Sequence, residues 1–347
     1  MNKGIKVAIA GAGIYGSTIA IKLARNGVKV TLYDPLGILC AASVINQLRV
    51  HRGYHYPRSK DTINEILEAR NEFINEFKDA IVKDTRNYYA IPYEGSFTSA
   101  EEYEKVCDTY SLPLEHERPE WINFDFIQKC YLVAECIYDP IVLKSLIEEK
   151  IKSLNIRLVK EYCLDEYKSD YDFMIWATYG TSGSHMCLFE KCELQVAEKI
   201  LIRLPPELHK KSLVIVDGPF TAFDPYGNSQ YFQFGSARHT NHWCTSDIEE
   251  QIPTKYAGII NAPTYEPVVF SNFNKMVDDA KKAVPLCANA EYIGSRFTLR
   301  LVEDDPDTDR RILYIKQSDD RTFHVFSGKV VSAVKAANIM VEKIVNA

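Results

Sequence analysis

One run in the sequence has residue types and spacing that could do chemistry on their own: Gly-Ala-Gly-Ile-Tyr-Gly at residues 11–16. Gly11 permits a tight turn. Gly13 lets the backbone approach a pyrophosphate with no side chain in the way. Gly16 lets a helix pack closely on the strand before it. The first turn of that helix, at Ile14 and Tyr15, would offer N–H groups and the positive end of its dipole to phosphates. Asp34, followed by Pro35, ends the next apolar run at the distance where a carboxylate meets ribose hydroxyls. An acidic residue there serves FAD or NAD and disfavours a 2′-phosphate, so the triplet alone leaves the dinucleotide open. Only one full fingerprint is present, which argues against binding FAD and a nicotinamide cofactor at two such sites. No Ser/His/Asp triad competes with it. The nine cysteines contain no Cys-x-x-Cys pair, so no metal site is expected.

Positioning this run takes a strand, a turn, a helix and a second strand. Residues 5–10 are a short apolar, β-rich run, residues 14–26 read as a helix with Gly27 as its C-terminal cap, and residues 28–33 read as the second strand. A helix is expected over 60–78. From about 85 to 139 the chain becomes rich in aromatic residues, with strands at 87–92 and 131–138 and a helix at 99–110. Alternation returns with a helix at 142–154 and strands at 156–159 and 172–177. Residues 192–242 look like sheet, with turns at Asp217-Gly218-Pro219 and Pro225-Tyr226-Gly227. A helix over 272–284 follows, and the chain ends strand, loop, helix. The expected fold class is α/β. A Rossmann-type nucleotide-binding domain takes residues 1–85, 139–185 and 290–347. It is interleaved with an α+β substrate domain, residues 86–138 and 186–289, built on a mostly antiparallel sheet.

Bulk properties narrow the partners. A chain of 347 residues can bury a large core in two structural units. A net charge of -6 without a basic block disfavours nucleic acid or a basic membrane-surface role. The apolar start breaks at Gly11 without a cleavage-like site, and no apolar run is long enough for an integral membrane segment. Scattered, odd-numbered cysteines read as reduced thiols of a cytoplasmic protein.

After Asp34, the segment CAASVINQLRVHRGYHYPRS resembles the flavin-contacting stretch of the D-amino-acid oxidase superfamily. In its hydroxyglutarate branch a Ser, an Asn and a His-x-Gly-x-x-Tyr pattern follow the Rossmann unit. Here these are Ser43, Asn46, His51, Gly53 and Tyr56. The resemblance continues at Tyr138-Asp139-Pro140, at Ala177-Thr178-Tyr179-Gly180 and at Ser327-Gly328-Lys329. It implies FAD, with the pyrophosphate at Gly11 to Gly16 and the adenosine ribose at Asp34. The loop from Ser43 to His51, including Asn46 and Gln47, would run along the ribityl chain and ring. Ala177 and Thr178 would lie at the family's Ala-x-Gly turn. The last helix, near Gly328 and Lys329, would aim its N-terminus at the pyrimidine side, where a positive dipole stabilises the anionic reduced flavin. The cysteine that carries flavin in the sarcosine oxidase branch has no counterpart here, so the FAD is expected to be non-covalent.

The resemblance also implies substrate contacts. Arg296 follows Gly294-Ser295 in a stretch similar to the family's Gly-Leu-Arg, whose arginine pairs with a substrate carboxylate; Arg300 takes that role if the register differs. His51 could contact the flavin, act as a base or carry a covalent bond. Tyr54, His55 and Tyr56 could border the substrate, and Arg238, His239 and His242 could line the opposite wall. The expected activity is oxidation of a small amine or amino acid, an anionic small-molecule substrate, by hydride transfer to flavin N5. Oxidation of an α-hydroxy acid or sugar-linked substrate is the alternative within the same fold, and a flavin-retaining binding protein without turnover is the alternative outside it.

Overall fold

Val7, Ala8, Ile9 and Ala10 are all buried, the pattern of a parallel strand covered on both faces. In the computed structural model, which describes residues 4–345 except 164, 182–187, 190, 248–249 and 306, their strand Lys6–Ala10 lies inside a six-stranded sheet. Phe173–Trp176 and Lys29–Tyr33 flank it in parallel. Thr322–Phe326 and Arg157–Val159 extend the sheet in parallel on either side, and Tyr314–Asp319 closes one edge antiparallel. Helix Ile14–Arg25 packs on the last helix, Ala333–Val345. Cys187 falls outside the described residues; the other eight cysteines are free thiols. Among the described residues no helix is long and apolar enough to cross a membrane.

The second sheet has nine strands. From Asn241–Thr245 the order runs Cys192–Arg203, Tyr231–Ser236, Thr221–Pro225, Lys211–Ile215, Arg86–Pro92, Ile127–Val133 and Leu114–His116, while Glu291–Glu303 pairs with Cys192–Arg203. All pairs are antiparallel except Arg86–Pro92 with Lys211–Ile215, so the sheet is mixed. Both expected turns form around positive-φ glycines, Gly218 and Gly227.

Two expectations change. Residues 291–303 were placed with the nucleotide-binding unit, but this strand pairs along its length with Cys192–Arg203 in the nine-stranded sheet. Its alternation of Phe297, Leu299 and Leu301 with Arg296, Thr298 and Arg300 suits a sheet with one apolar and one polar face, not a doubly covered parallel strand. The single strand expected at 131–138 is two. Ile127–Val133 stays in the large sheet, and Cys136–Tyr138 joins a small sheet with Arg49–Val50 and Ile81–Val82. The break falls at Ala134-Glu135, where the Glu135 carboxylate turns inward onto Arg49.

Candidate cofactor and substrate site

The glycine run builds a cradle that side chains would fill. Gly11 has φ +96°, and a Cβ there would lie 2.5 Å from the Ala177 carbonyl oxygen. A Cβ on Gly16 would collide with the Gly11 carbonyl at 1.9 Å. Gly13, the N-cap of Ile14–Arg25, provides no side-chain cap. Instead Ser43 Oγ, reaching in from the following loop, accepts the Ile14 N–H at 2.9 Å. This helix start, its Ile14 N–H taken by Ser43 Oγ and its Gly13 backbone bare, fits a dinucleotide pyrophosphate at the turn. Asp34 also shapes the turn itself: Oδ2 accepts from the Ala12 N–H at 2.8 Å, and Oδ1 from Leu36 and Gly37 at 2.8 and 3.0 Å. Pro35 beside it is exposed. Tyr15 donates its hydroxyl to the Lys329 carbonyl, tying the start of the first helix to the loop before the last one.

The loop after Asp34 is locked by its own residues. Asn46 donates to the Ala42 carbonyl and accepts from the Leu48 N–H, and the Tyr138 hydroxyl meets both Asn46 and the Ser43 carbonyl. Asn46 therefore shapes the loop rather than reaching outward. Gln47 faces the large sheet, and its Oε1 is buried with no hydrogen-bond partner among the described residues. Arg49 clamps the loop to the sheet. Its guanidinium bridges Glu135 at 2.9 Å and Asp224 at 2.6 Å, with both carboxylates fully buried. Burial would raise Glu135, but the Arg49 guanidinium and the Tyr89 hydroxyl hold it well below the usual carboxylate range. Burial lifts Asp224 to about 6 despite Arg49 and Ser212. Removing the cation leaves two uncompensated buried carboxylates. Arg49→Met is thus expected to lower unfolding free energy by about 3–5 kcal/mol. Urea denaturation checks this, and a loss under about 1 kcal/mol would show that the clamp is not what holds the loop.

His51 and His55 lie behind this clamp. Their rings sit 5.3 Å apart, and His51 Nδ1 stands 3.5 Å from Glu135 Oε1, too long for a strong hydrogen bond. Burial lowers the pKa of His51 and lowers that of His55 further, so both are neutral imidazoles at pH 7. Lys329 Nζ lies 3.7 Å from the Tyr56 ring centroid, and burial drives it well below the usual lysine range. The structure thus brings the His-Arg-Gly-Tyr-His-Tyr segment and the Gly328-Lys329 loop together, although 272 or more residues separate them in sequence order.

The polar face of the large sheet carries the arginines. Gln195, Ala197 and Lys199 on one strand pair with Arg300, Thr298 and Arg296 on the next. Arg296 is a strut: Nε donates to the Ala262 carbonyl at 2.8 Å and Nη2 to the Cys40 carbonyl at 3.1 Å, with the guanidinium over Tyr265. Arg300 differs. Only Nε is engaged, donating to Gln195 Oε1 at 2.7 Å; its two terminal nitrogens make no hydrogen bond with described residues. Burial, and then the Arg311 charge, lowers the Arg300 pKa.

Three expected wall residues lie elsewhere. His239 and Arg238 reach Asp279, and His242 binds Glu198 at 2.7 Å. Glu198 alternates with Lys199 on its strand and so faces away from the cradle. Sequence reading passed over Arg49 and Lys199. The available signal was a charged residue inside a β-rich apolar run, Leu48-Arg49-Val50 and Lys199-Ile200-Leu201.

A dinucleotide cradle on one sheet thus faces the polar side of a second sheet. The family described as FAD dependent oxidoreductase matches residues 6–130. FAD-dependent monooxygenase FPY4 of Fusarium mangiferae is 26% identical over 245 residues, 67% of this chain and 64% of that protein. FAD-dependent monooxygenase kojA of Aspergillus flavus is 30% identical over 122 residues, 35% of this chain and 28% of that protein. The chain spans less than two thirds of the length of these curated relatives. Glycine oxidase from Geobacillus kaustophilus shares the fold at TM-score 0.73 and 13% identity, covering 99% of this chain and 95% of that one. Iminodiacetate oxidase from Chelativorans sp. BNC1 does so at TM-score 0.70 and 13% identity, covering 98% and 95%. Over residues 6–130 the chain is similar to FAD-dependent oxidoreductases, and across nearly its whole length it shares its fold with these two oxidases.

Proposed function

We propose that this chain oxidises a small anionic amine or amino acid with FAD held non-covalently. The observation that carries this reading is Arg300, whose terminal nitrogens make no hydrogen bond with described residues on the polar face of the large sheet. When bound, FAD supplies the hydride acceptor. The protein's own work is positioning. The Gly11 to Gly16 turn and the Ile14 N-terminus hold the pyrophosphate, and Asp34 stands at the ribose. Ser43 and Gln47 border the ring, with Ala177 and Thr178 beneath the turn and Lys329 beside Tyr56. The Arg300 fork takes a carboxylate by two parallel hydrogen bonds and sets the tilt of the neighbouring C–H. Arg296 keeps the loop at Cys40 in place. His51, buried and neutral, is a contact rather than an anchor.

The non-covalent assignment rests on Cys40, the one cysteine of the loop. Its thiol is directed to the Ile38 carbonyl and to Lys144 Nζ, at 3.4 and 3.5 Å. Acid precipitation should leave a colourless pellet and a yellow supernatant. A fluorescent peptide containing His51 or Cys40 would overturn this. The activity is tested by anaerobic bleaching of the bound flavin with a panel of amines, amino acids and α-hydroxy acids. Bleaching by an anionic amine is the expected result. The curated relatives' names favour a second reading, oxygen insertion, which needs an outside reductant. Bleaching by NADPH and by no panel member would favour it.

A further inference from the structure

One buried cation on the sheet face has no role so far. Lys199 is 8% exposed, yet no carboxylate or carbonyl among the described residues takes a hydrogen bond from its Nζ. Its place is defined by Gly235, its neighbour on the adjoining strand. A Cβ on Gly235 would lie 3.1 Å from Lys199 Nζ and 2.9 Å from Gln47 Nε2. The missing side chain opens the space in which the lysine tip meets the loop that borders the flavin ring.

The charged groups around it come from two strands. Arg296 stands opposite Lys199 in register, but its guanidinium is committed to the Ala262 and Cys40 carbonyls. Arg300 shares the face with Lys199 and is the leading charge acting against its ammonium form. Asp224, on Thr221–Pro225, favours the ammonium from a distance, but its oxygens are held by Arg49 and Ser212. Burying an unpaired ammonium costs several kcal/mol, and a lysine in that position sheds its proton instead. A neutral amine on the sheet face opposite the cradle loop carries a free lone pair, which is a base.

We propose that Lys199 is the proton acceptor of this site, its Nζ taking the proton from the substrate nitrogen while Arg300 holds the carboxylate. The proposal rests on the function proposed above. In the step, the substrate N–H bond breaks, its electron pair stays on nitrogen, and the proton bonds to Nζ to give an ammonium. The α C–H then leaves with its pair for bound FAD, which is reduced by two electrons, while the nitrogen lone pair forms the second C–N bond of the iminium product. With an α-hydroxy acid, the same Nζ takes the hydroxyl proton and a carbonyl forms. Protonation of the substrate nitrogen would otherwise withhold the lone pair that drives hydride departure.

The test uses FAD-loaded protein and the panel substrate that bleaches wild type fastest. Burial, then Arg300, brings Lys199 down to about 7. The limiting rate of anaerobic flavin reduction should therefore rise with pH, fall off tenfold per unit below about 7, and level above it. Lys199→Met keeps the side-chain volume and removes the base; Lys199→Arg keeps a cation that cannot accept a proton. Both should be about 10²–10⁴-fold slower at neutral pH with normal FAD content, and both should lose the inflection. Added small primary amines should restore part of the Lys199→Met rate. A readout without turnover accompanies this: the visible absorbance of bound FAD should titrate through the same pH in wild type and not in Lys199→Met. A retained inflection in Lys199→Met, or a wild-type rate in Lys199→Arg, overturns the role of Lys199 while leaving the function standing. If no panel member bleaches wild type, the function falls first and this proposal with it.

Discussion

Arg300→Ala should weaken binding of a carboxylate substrate or inhibitor by about 2–5 kcal/mol, roughly 30-fold to several thousand-fold. The reason is the contrast between two arginines on one strand face. Arg300 is desolvated and its terminal nitrogens make no hydrogen bond with described residues, so a carboxylate placed there gains a charge-assisted fork with little screening. FAD content should stay normal, because Arg300 is held by Gln195 on the sheet and not by the cradle loop. Arg300→Lys keeps the charge and loses the fork, so the reduction rate should fall even at saturating substrate. Arg296→Ala should behave differently. It removes the donor to the Cys40 carbonyl, so FAD should be retained less firmly while the carboxylate still binds. Titration of the flavin spectrum with a carboxylate, alongside anaerobic reduction, separates the two. Normal FAD with lost carboxylate binding in Arg296→Ala, and neither loss in Arg300→Ala, would reverse the assignment.

Gly13→Val should give a folded protein that no longer retains FAD. Gly13 has φ −67° and ψ −174°, extended backbone that any residue adopts. Its added Cβ meets one atom, Ser43 Oγ, at 3.2 Å, which a hydroxyl rotation relieves. The protein itself therefore tolerates the side chain, and the lost space is that of the pyrophosphate. Gly11→Ala makes the comparison. At φ +96°, with its Cβ 2.5 Å from the Ala177 carbonyl oxygen, it strains the fold itself by about 1–3 kcal/mol before any cofactor is considered. Heat-released FAD and thermal unfolding of both variants are the measurements. FAD retained at the wild-type level in Gly13→Val would remove the pyrophosphate from this turn.

The strand, turn, helix and strand around Gly11, Gly13 and Gly16 were legible in the sequence, because Gly16 answers a clash with the Gly11 carbonyl and Gly11 one with Ala177 on the adjacent strand, while Gly13 keeps the backbone between them bare. Helix ends were legible for the same reason: Ser99 with Glu102, and Asp139 with Ile141 and Val142, are contacts within one turn. Arg296 and Arg300, four residues apart on one strand, share a face once that strand is known. Tertiary structure alone decided what each meets. Arg296 ends on carbonyls of two loops, one of them 256 residues away, while Arg300 finds Gln195 across 105 residues and stays open beyond it. The same holds for Arg49, whose partners Glu135 and Asp224 come from separate strands, and for Lys199, whose setting depends on the absent side chain of Gly235. A side chain's periodicity is written in its neighbours along the chain. Its charge state and partners are set by desolvation and by groups that only strand pairing brings within a few ångströms.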